Sequence, residues 1–322
     1  MKKIRQAKSI TYRFCHVALI VSSLVLLTAC SSSNIDTNVA SADISKSNST
    51  GRTNKINVLT PTATGEKTTG NDIFTLDYSN SSEGYIVLLY TGTSEKVKFQ
   101  ITCEGQTTYT YNIVPNLETV IPLSSDDGTY NVALYECMGD DQYSVAFSDD
   151  IAITIDNKFG PFLYPNQYVN FSAETKAVAK SAEVVKDATC DLDAVSLVYD
   201  FVIKNVAYDH EEAETVASNY LPDVDEVLSS GKGICFDYAA LMASMLRSQG
   251  IPTRLEIGYA KDAYHAWISV YTEDQGWIGG IIQFDGTAWT LMDPTLASNS
   301  KNTSKIKDFI GDGSSYVTKY VY

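Results

Sequence analysis

Three residues in the second half of the chain have the types that nucleophilic catalysis requires. A thiol nucleophile needs a base that takes its proton, and the base needs an acceptor that orients its second nitrogen. Cys235, His265 and Asp293 could fill these roles in that order. Residues of these types occur in many chains, so the sequence around each one has to support the assignment.

Cys235 opens a segment whose composition predicts a buried helix. Gly231 and Gly233 allow the backbone before the helix to form a tight turn. Gly250, with Pro252 just beyond it, would end the helix. The residues between are Ala, Leu and Met on nearly every face, which is typical of a helix inside a core. A helix N-terminus lowers the pKa of a cysteine, so we expect an available thiolate at Cys235.

The proposed base and its acceptor both lie at the ends of predicted strands. His265 begins a strand over 265–271, and Asp293 ends one over 289–293, where Pro294 prevents a simple continuation of the ladder. His210 is predicted to lie on the surface. His210, His265 and one exposed thiol do not make a zinc site, so we expect no metal and no cofactor.

The elements that would position these residues change in kind after Phe159. Ser172 can cap a helix through about residue 188, and Asp191 can cap a second helix with an apolar stripe along one face. The Cys235 helix follows. A strand-rich tail comes last, over residues 254–259, 265–271, 277–284, 289–293 and 316–322. Helices followed by antiparallel strands predict an α+β arrangement.

The residues before this region alternate with period two. Seven β-rich runs recur between turn residues, at 85–90, 97–103, 109–114, 119–123, 130–137, 143–147 and 151–155. This spacing predicts a β-sandwich over residues 72–157. The stretch from Asp127 to Val132 resembles the tyrosine corner of immunoglobulin-like sandwiches, although a plain hairpin turn beside Tyr130 would look similar. Cys103 and Cys137 lie on these strands without a consistent reason to pair.

Local sequence around the three catalytic candidates resembles the core of the transglutaminase-like superfamily. The matching stretches are Gly233-Ile234-Cys235-Phe236-Asp237-Tyr238-Ala239, Gly250-Ile251-Pro252-Thr253-Arg254, His265-Ala266-Trp267, Gly276-Trp277 and Asp293-Pro294-Thr295. They cover about residues 195–297. The resemblance implies a papain-like fold over residues 160–322, in which the cysteine heads a helix packed on an antiparallel sheet.

The same resemblance implies roles for individual residues. Cys235 would be the nucleophile, His265 the base and acid, and Asp293 the group that orients His265. The backbone N–H of Cys235 is a natural oxyanion donor at a helix N-terminus. Tyr208 is the candidate for a second donor, and a packed core tyrosine is its equally good alternative. Trp267 is expected to wall the cleft.

The start of the chain predicts export and a lipid anchor. Residues 1–29 combine basic side chains with an apolar run too short to span a bilayer, and Leu27-Thr28-Ala29-Cys30 resembles a bacterial lipobox. Cleavage before Cys30 would leave its sulfur for lipidation, whereas an ordinary signal peptide with a chance cysteine is the alternative. Residues 30–71, rich in Ser and Thr, predict a flexible tether. We therefore expect a protein of the bacterial cell envelope, outside the cytoplasm.

The net charge of the chain argues against some classes of binding partner. The net charge of −15 becomes more negative once the basic residues 1–29 are removed. Such a chain is not drawn to nucleic acid, and we expect membrane contact through the lipid anchor only.

The sequence therefore predicts an envelope-anchored thiol acyl-transfer enzyme. It would form a Cys235 thioester from a glutamine or peptide-type amide of a protein, peptide or cell-wall substrate, and pass the acyl group to an amine or to water. Neither outcome is favoured, and the sandwich could position substrate or act as a spacer. The alternative function is a non-catalytic surface module that binds through the sandwich and a silent transglutaminase-like core.

Overall fold

Two four-stranded antiparallel sheets form the first part of the structure. The computed structural model describes residues 52–260, 263–279, 282–284, 289–291 and 316–322. The strands of these two sheets are β1 (Thr68–Asn71), β2 (Phe74–Asp77), β3 (Tyr85–Tyr90), β4 (Val97–Cys103), β5 (Thr108–Ile113), β6 (Thr119–Pro122), β7 (Gly128–Gly139) and β8 (Gln142–Ile153). The strand orders are β1-β2-β3-β6 and β5-β4-β7-β8.

The apolar faces of these two sheets share one core. Along β4 every second residue is buried, as period two predicts. Phe74 of the first sheet lies 6.1 Å from Phe99 and 5.2 Å from Phe147 of the second, measured between ring centroids. The hydroxyl of Tyr130 donates to the carbonyl of Asp126 at 2.7 Å, which is the hydrogen bond of a tyrosine corner. Sheets before a helical region are therefore confirmed, and an immunoglobulin-like identity stays a prediction.

Strand boundaries differ from the prediction in two places. The run predicted at 143–147 and the first residues of the run at 151–155 belong to one continuous strand, β8, which pairs with β7. The hairpin of β1 and β2 was missed, and β1 falls in the segment predicted as a flexible tether. Arg52, in the same segment, forms an ion pair with Asp191 and donates to the Gln249 carbonyl at 2.8 Å. The described part of the segment is thus held against the rest of the molecule.

Among the described residues, five α-helices follow the sandwich. They are α1 (Lys176–Val184), α2 (Asp191–Asn205), α3 (His210–Thr215), α4 (Val224–Ser230) and α5 (Cys235–Arg247). Helices α1, α2 and α4 pack around α5, which is buried from Asp237 to Arg247. Helix α1 is shorter than the predicted 172–188, because the N–H of Ser172 donates to Thr175 Oγ1 in a turn before it. No helix of the described ranges is long and apolar enough to cross a bilayer.

A third sheet supports the other face of α5. Its strands are β11 (Thr253–Ala260), β12 (Ala263–Thr272), β13 (Gly276–Ile278) and β16 (Tyr316–Val321), in the antiparallel order β13-β12-β11-β16. Strands β14 (Ile282–Phe284) and β15 (Trp289–Leu291) pair separately. The strand predicted over 277–284 is therefore two strands. Helix α5 packs on β11 and β12, which confirms the predicted α+β core with a cysteine-headed helix on an antiparallel sheet.

The C-terminal end of α5 is fixed by Arg247, which is fully buried. Its guanidinium donates to three main-chain carbonyls, those of Thr253 at 2.9 Å and of Tyr164 and Tyr322 at 2.8 Å each. Burial lowers the pKa of Arg247 to about 9. The three bonds connect the helix to the loop before α1, to β11 and to the residue after β16.

The predicted signal peptide, Cys30 and the tether up to residue 51 lie outside the described residues. So does Asp293. The boundaries proposed for the sandwich and the catalytic region stay predictions.

Candidate active site

Cys235 is the first residue of α5, and a short parallel ladder sets its position. Strands β9 (Ala207–Tyr208) and β10 (Lys232–Gly233) pair so that Gly233 lies opposite Tyr208. The extended residue Ile234 then precedes the helix, and its N–H donates to Asp237 Oδ2 at 2.8 Å. A carboxylate at the third helical position is a good partner for an N-terminal N–H. The nucleophile candidate is thus held at a capped helix start.

Asp237 is a buried carboxylate that sequence analysis did not single out. It is 0% exposed, and its other oxygen accepts a hydrogen bond from the Tyr220 hydroxyl at 2.6 Å. Burial raises the pKa of Asp237, and the bonds from Tyr220 and Ile234 oppose that rise. A Cβ on Gly233 would stand 2.7 Å from Asp237 Cβ, so this approach requires glycine. The acidic residue three positions after Ile234 was the available sequence signal.

Burial raises the pKa of the Cys235 thiol. Hydrogen bonds to the sulfur from the backbone N–H groups of Ala266 and Phe236 oppose this rise but do not overcome it. The expectation that the helix N-terminus lowers the pKa is therefore wrong in direction, because desolvation of the thiolate outweighs the helix end.

His265 lies on β12 and is only 8% exposed. Burial lowers its pKa to about 4, so the imidazole is neutral at pH 7. Its Nε2 atom is buried without a hydrogen-bond partner among the described residues. A neutral imidazole with one unpartnered nitrogen has the state that a general base requires, and an orienting acceptor would complete it. Asp293, which was predicted for that role, lies two positions after β15 and outside the described residues.

One cavity contains both Cys235 and His265. It has a volume of about 550 Å³ and includes no Lys, Arg, Asp or Glu among the described residues that line it. Most of its wall is aromatic or apolar. The aromatic residues among the described lining are Tyr168, Tyr208, Tyr220, Phe236, Tyr264, Tyr320 and Tyr322. The structure thus brings the predicted nucleophile and base together in a site suited to an uncharged group.

Tyr208 also lines this cavity. Burial raises its pKa to about 12, and the nearby Cys235 backbone opposes the rise. The hydroxyl therefore stays protonated at neutral pH and lies beside the other oxyanion-donor candidate. His210 lies exposed at the start of α3, with its ring 4.9 Å from that of Tyr208.

Trp267 does not wall the cleft as predicted. It is 3% exposed and is not among the residues that line the cavity. Its ring lies 6.4 Å from that of His265 with an angle of 23° between the planes. Positions 265 and 267 lie on the same face of β12, which accounts for the contact. Trp267 therefore packs beside the base rather than in the cavity.

The four described cysteines, Cys103, Cys137, Cys190 and Cys235, are free thiols. Cys103 and Cys137 are therefore not paired. No cluster of three or more His, Cys, Asp or Glu side chains within the described ranges has a metal-binding arrangement.

Comparison with known proteins gives a family and several relatives. The model of the transglutaminase-like superfamily matches residues 178–279. YebA of Bacillus subtilis is 22% identical over 191 residues, covering 51% of this chain and 25% of its own length. ML0607 of Mycobacterium leprae is 33% identical over 112 residues, covering 26% of this chain and 38% of its own length. The chain thus spans well under half the length of these two relatives.

Several solved structures from different organisms are similar to this chain. A protein of Cytophaga hutchinsonii described as a candidate cysteine protease is 14% identical, with a TM-score of 0.34, and 66% of this chain covers 76% of it. The periplasmic domain of TgpA from Pseudomonas aeruginosa is 15% identical, with a TM-score of 0.32 and coverages of 68% and 74%. Red sea bream transglutaminase is 13% identical, with a TM-score of 0.27 and coverages of 60% and 47%.

Proposed function

We propose that this chain, which carries a transglutaminase-like domain, is an acyl-transfer enzyme that works through a thioester on Cys235. The family match supports the general class, a cysteine enzyme. One observation supports the chemistry most directly. Cys235 is the first residue of a buried helix, and its side chain and that of His265 line one cavity.

The first half of the reaction begins from a neutral thiol and a neutral imidazole. His265 takes the proton from Sγ, and the sulfur attacks the carbonyl carbon of an amide. The tetrahedral oxyanion would accept hydrogen bonds from the Cys235 N–H and the Tyr208 hydroxyl. The carbon–nitrogen bond then breaks, His265 returns its proton to the leaving nitrogen, and ammonia or an amine departs.

The second half transfers the acyl group from sulfur to the acceptor. His265, neutral again, takes a proton from an incoming amine or water, which attacks the thioester carbonyl. The carbon–sulfur bond breaks, and the thiolate recovers the proton from His265. Asp293 would accept from the second imidazole nitrogen and stabilise the imidazolium in both halves.

The proposed substrate is a glutamine side chain or a peptide-type amide in the bacterial envelope. A primary amine as acceptor gives a crosslink, and water gives hydrolysis. The lipobox-like stretch ending at Cys30 supports attachment to the membrane outside the cytoplasm. Substitution of Cys30 by Ser should release the protein from the membrane fraction, and full retention of the variant would place the anchor elsewhere.

The deciding experiment incubates envelope proteins with the enzyme and an isotope-labelled primary amine, followed by mass spectrometry. Amine incorporation into glutamine residues indicates transglutamination, and new peptide termini indicate proteolysis. The Cys235→Ala variant is the control and should give neither product. Two outcomes would favour the alternative hypothesis of a non-catalytic binding module. The parent and Cys235→Ala could give the same products, or neither could give any product with protein and cell-wall amides.

A further inference from the structure

The wall of the cavity opposite α5 belongs to the sandwich. Thr110 and Asn112, both on β5, line the cavity together with Cys235 and His265. Strand β5 is the edge strand of its sheet, and both side chains lie on the exposed face. A domain that acts only as a spacer does not need to lie beside the nucleophile. Strand β5 is therefore a candidate for contact with substrate.

A short series of contacts joins β5 to the nucleophile. Gln167 Nε2 donates to the carbonyl of Asn112 at 2.7 Å, and the next side chain, Tyr168, continues toward the helix. The Tyr168 ring stacks on that of Tyr322 at 3.9 Å and lies 5.9 Å from the ring of Phe236, the neighbour of Cys235. The edge of the sandwich is therefore held at a fixed distance from the site.

The polar groups on this wall are neutral. The Thr110 hydroxyl accepts a hydrogen bond from Gln100 Nε2 at 3.2 Å, and its own proton can still be donated. The Asn112 amide can both donate and accept. These are groups that hydrogen-bond a peptide backbone or a carboxamide.

The rest of the described wall offers no counter-charge. Burial raises the pKa of Tyr168, Tyr208, Tyr220, Tyr264 and Tyr322, so these hydroxyls stay protonated at neutral pH. A carboxylate or ammonium group that entered this cavity would lose its hydration without gaining a charged partner among the described residues. An aromatic wall instead favours an apolar or aromatic neighbour of the reacting amide.

We propose that the sandwich forms part of the substrate site, and that Thr110 and Asn112 bind an uncharged stretch of polypeptide that carries the reacting amide. This rests on the proposed function, because it assigns the substrate class of the same site. It selects protein segments with neutral, aromatic or apolar flanks over cell-wall stem peptides, whose free carboxylates would find no cationic partner among the described residues of the wall.

The test uses thiol-directed peptides, so that it does not depend on turnover. Chloroacetyl peptides with Phe and Ala flanks are compared with matched peptides that carry Glu flanks, and the rate of Cys235 modification is measured by mass spectrometry. The neutral peptides should react at least about tenfold faster than the acidic ones. Equal rates, or faster reaction of the acidic peptides, would overturn the proposal.

Variants on β5 separate a role in binding from a role in structure. Thr110→Val and Asn112→Ala should slow modification by neutral peptides about three- to tenfold, the size of one lost neutral hydrogen bond, with iodoacetamide rates unchanged. Thr108→Val is the matched control, since Thr108 is exposed on the same strand and hydrogen-bonds Thr102 at 2.8 Å but does not line the cavity. Equal effects of Thr108→Val and Thr110→Val would contradict the assignment.

A charge substitution gives a second, independent readout. Asn112→Lys should raise the rate with Glu-flanked peptides and reduce the preference for neutral ones, and an unchanged preference would count against β5 as a wall of the substrate site. Failure of the proposed function would look different. In that case amide substrates would not turn over, while the selectivity of Cys235 labelling and its dependence on β5 would persist.

Discussion

Cys235 and His265 are both uncharged in the resting site at neutral pH. Burial raises the pKa of the thiol and lowers that of the imidazole to about 4. The two shifts have the same origin, since a charged form of either side chain loses hydration in the core. The reactive thiolate and imidazolium therefore have to form by proton transfer inside the site rather than exist beforehand.

The rate of Cys235 alkylation should reflect this neutral state. We expect iodoacetamide labelling of the resting enzyme to keep rising with pH through and beyond about 8.5, where an ordinary cysteine titrates. The measurement is the second-order rate constant of Cys235 modification from pH 5 to about 10, with exposed model thiols as reference. A plateau already reached near pH 6 would show a preformed ion pair and contradict the prediction.

The buried imidazole should also make the fold sensitive to acid. The pKa of His265 is about 4 in the folded state, against the ordinary value of 6.5 expected after unfolding. The unfolded chain thus binds more protons between these values, so stability falls as the pH drops from 6.5 towards 4, by about 3 kcal/mol in total. Denaturant unfolding at pH 7 and pH 4 should show a smaller loss for His265→Gln than for the parent, and equal losses would remove His265 from this effect.

Tyr208 offers a test of the oxyanion assignment. Tyr208→Phe keeps the ring but removes the hydroxyl, so kcat should fall about 10²-fold, as for the loss of one oxyanion donor. Tyr238→Phe is the control, because the Tyr238 hydroxyl donates to the Val206 carbonyl away from the cavity lining. It should lower the melting temperature with little change in kcat. If both variants behave like Tyr238→Phe, Tyr208 is a packed core residue.

The assignment of Cys235 and His265 to one site was predictable because their local sequences carried the family resemblance. The direction of the Cys235 pKa was not, since sequence shows a helix start but not the depth at which the sulfur lies. Asp237 could have been found from its position three residues after Ile234. Thr110 and Asn112 could not, because nothing local in β5 shows which part of the molecule packs beside it.

At the scale of elements, the start of α5 depends on a close approach between Gly233 and Asp237. Gly233→Ala would place a methyl group 2.7 Å from Asp237 Cβ and displace the carboxylate that caps Ile234. We expect a loss of about 1–3 kcal/mol in stability, and a lower kcat because Cys235 moves with the helix start.

The control for this prediction is Gly279→Ala. Among the described residues, a Cβ there would meet Ser269 Oγ alone, at 3.6 Å, which is an ordinary contact, so stability and kcat should both stay near the parent values. Thermal melts and turnover assays of the two variants give the comparison. A Gly233→Ala enzyme with parental stability would show that the helix start tolerates the methyl group.

Long periodic elements were predictable, and short ones were not. Strand β4 alternates cleanly and α5 is apolar on nearly every face, so each carries its own signal. Helix α3 has no buried residue, and the strands β9 and β10 have two residues each, so their position depends on contacts made elsewhere in the chain. The strands β1 and β2 were missed because polar residues surround them.

At the scale of the whole molecule, a cluster of tyrosines joins the sandwich to the catalytic region. Tyr111 of β5 is 1% exposed, and its ring lies 5.7 Å from Tyr168 and 6.1 Å from Tyr322. Tyr109 lies 5.5 Å from Tyr322 on the same side. Removal of the sandwich would therefore expose aromatic surface that also borders the cavity.

A fragment of residues 160–322 tests how much stability this contact supplies. We expect the fragment to melt at least about 4 °C below the full chain, because the rings of Tyr168 and Tyr322 lose their cover. Calorimetry gives the melting temperatures of both proteins and of the Tyr111→Ala variant of the full chain. The melting temperature of the variant should lie between the other two. A fragment as stable as the full chain would mean that the two regions are energetically independent.

The three hydrogen bonds made by Arg247 affect which substitutions the protein can tolerate at the four positions involved. Every amino acid carries a main-chain carbonyl, so the acceptors at positions 164, 253 and 322 do not depend on which side chains occupy those positions. The donor is different, because only a guanidinium presents enough N–H groups in a rigid plane to reach three carbonyls at once. Substitutions at the three acceptor positions should therefore leave these bonds in place, whereas replacement of Arg247 by any other residue should break at least one of them.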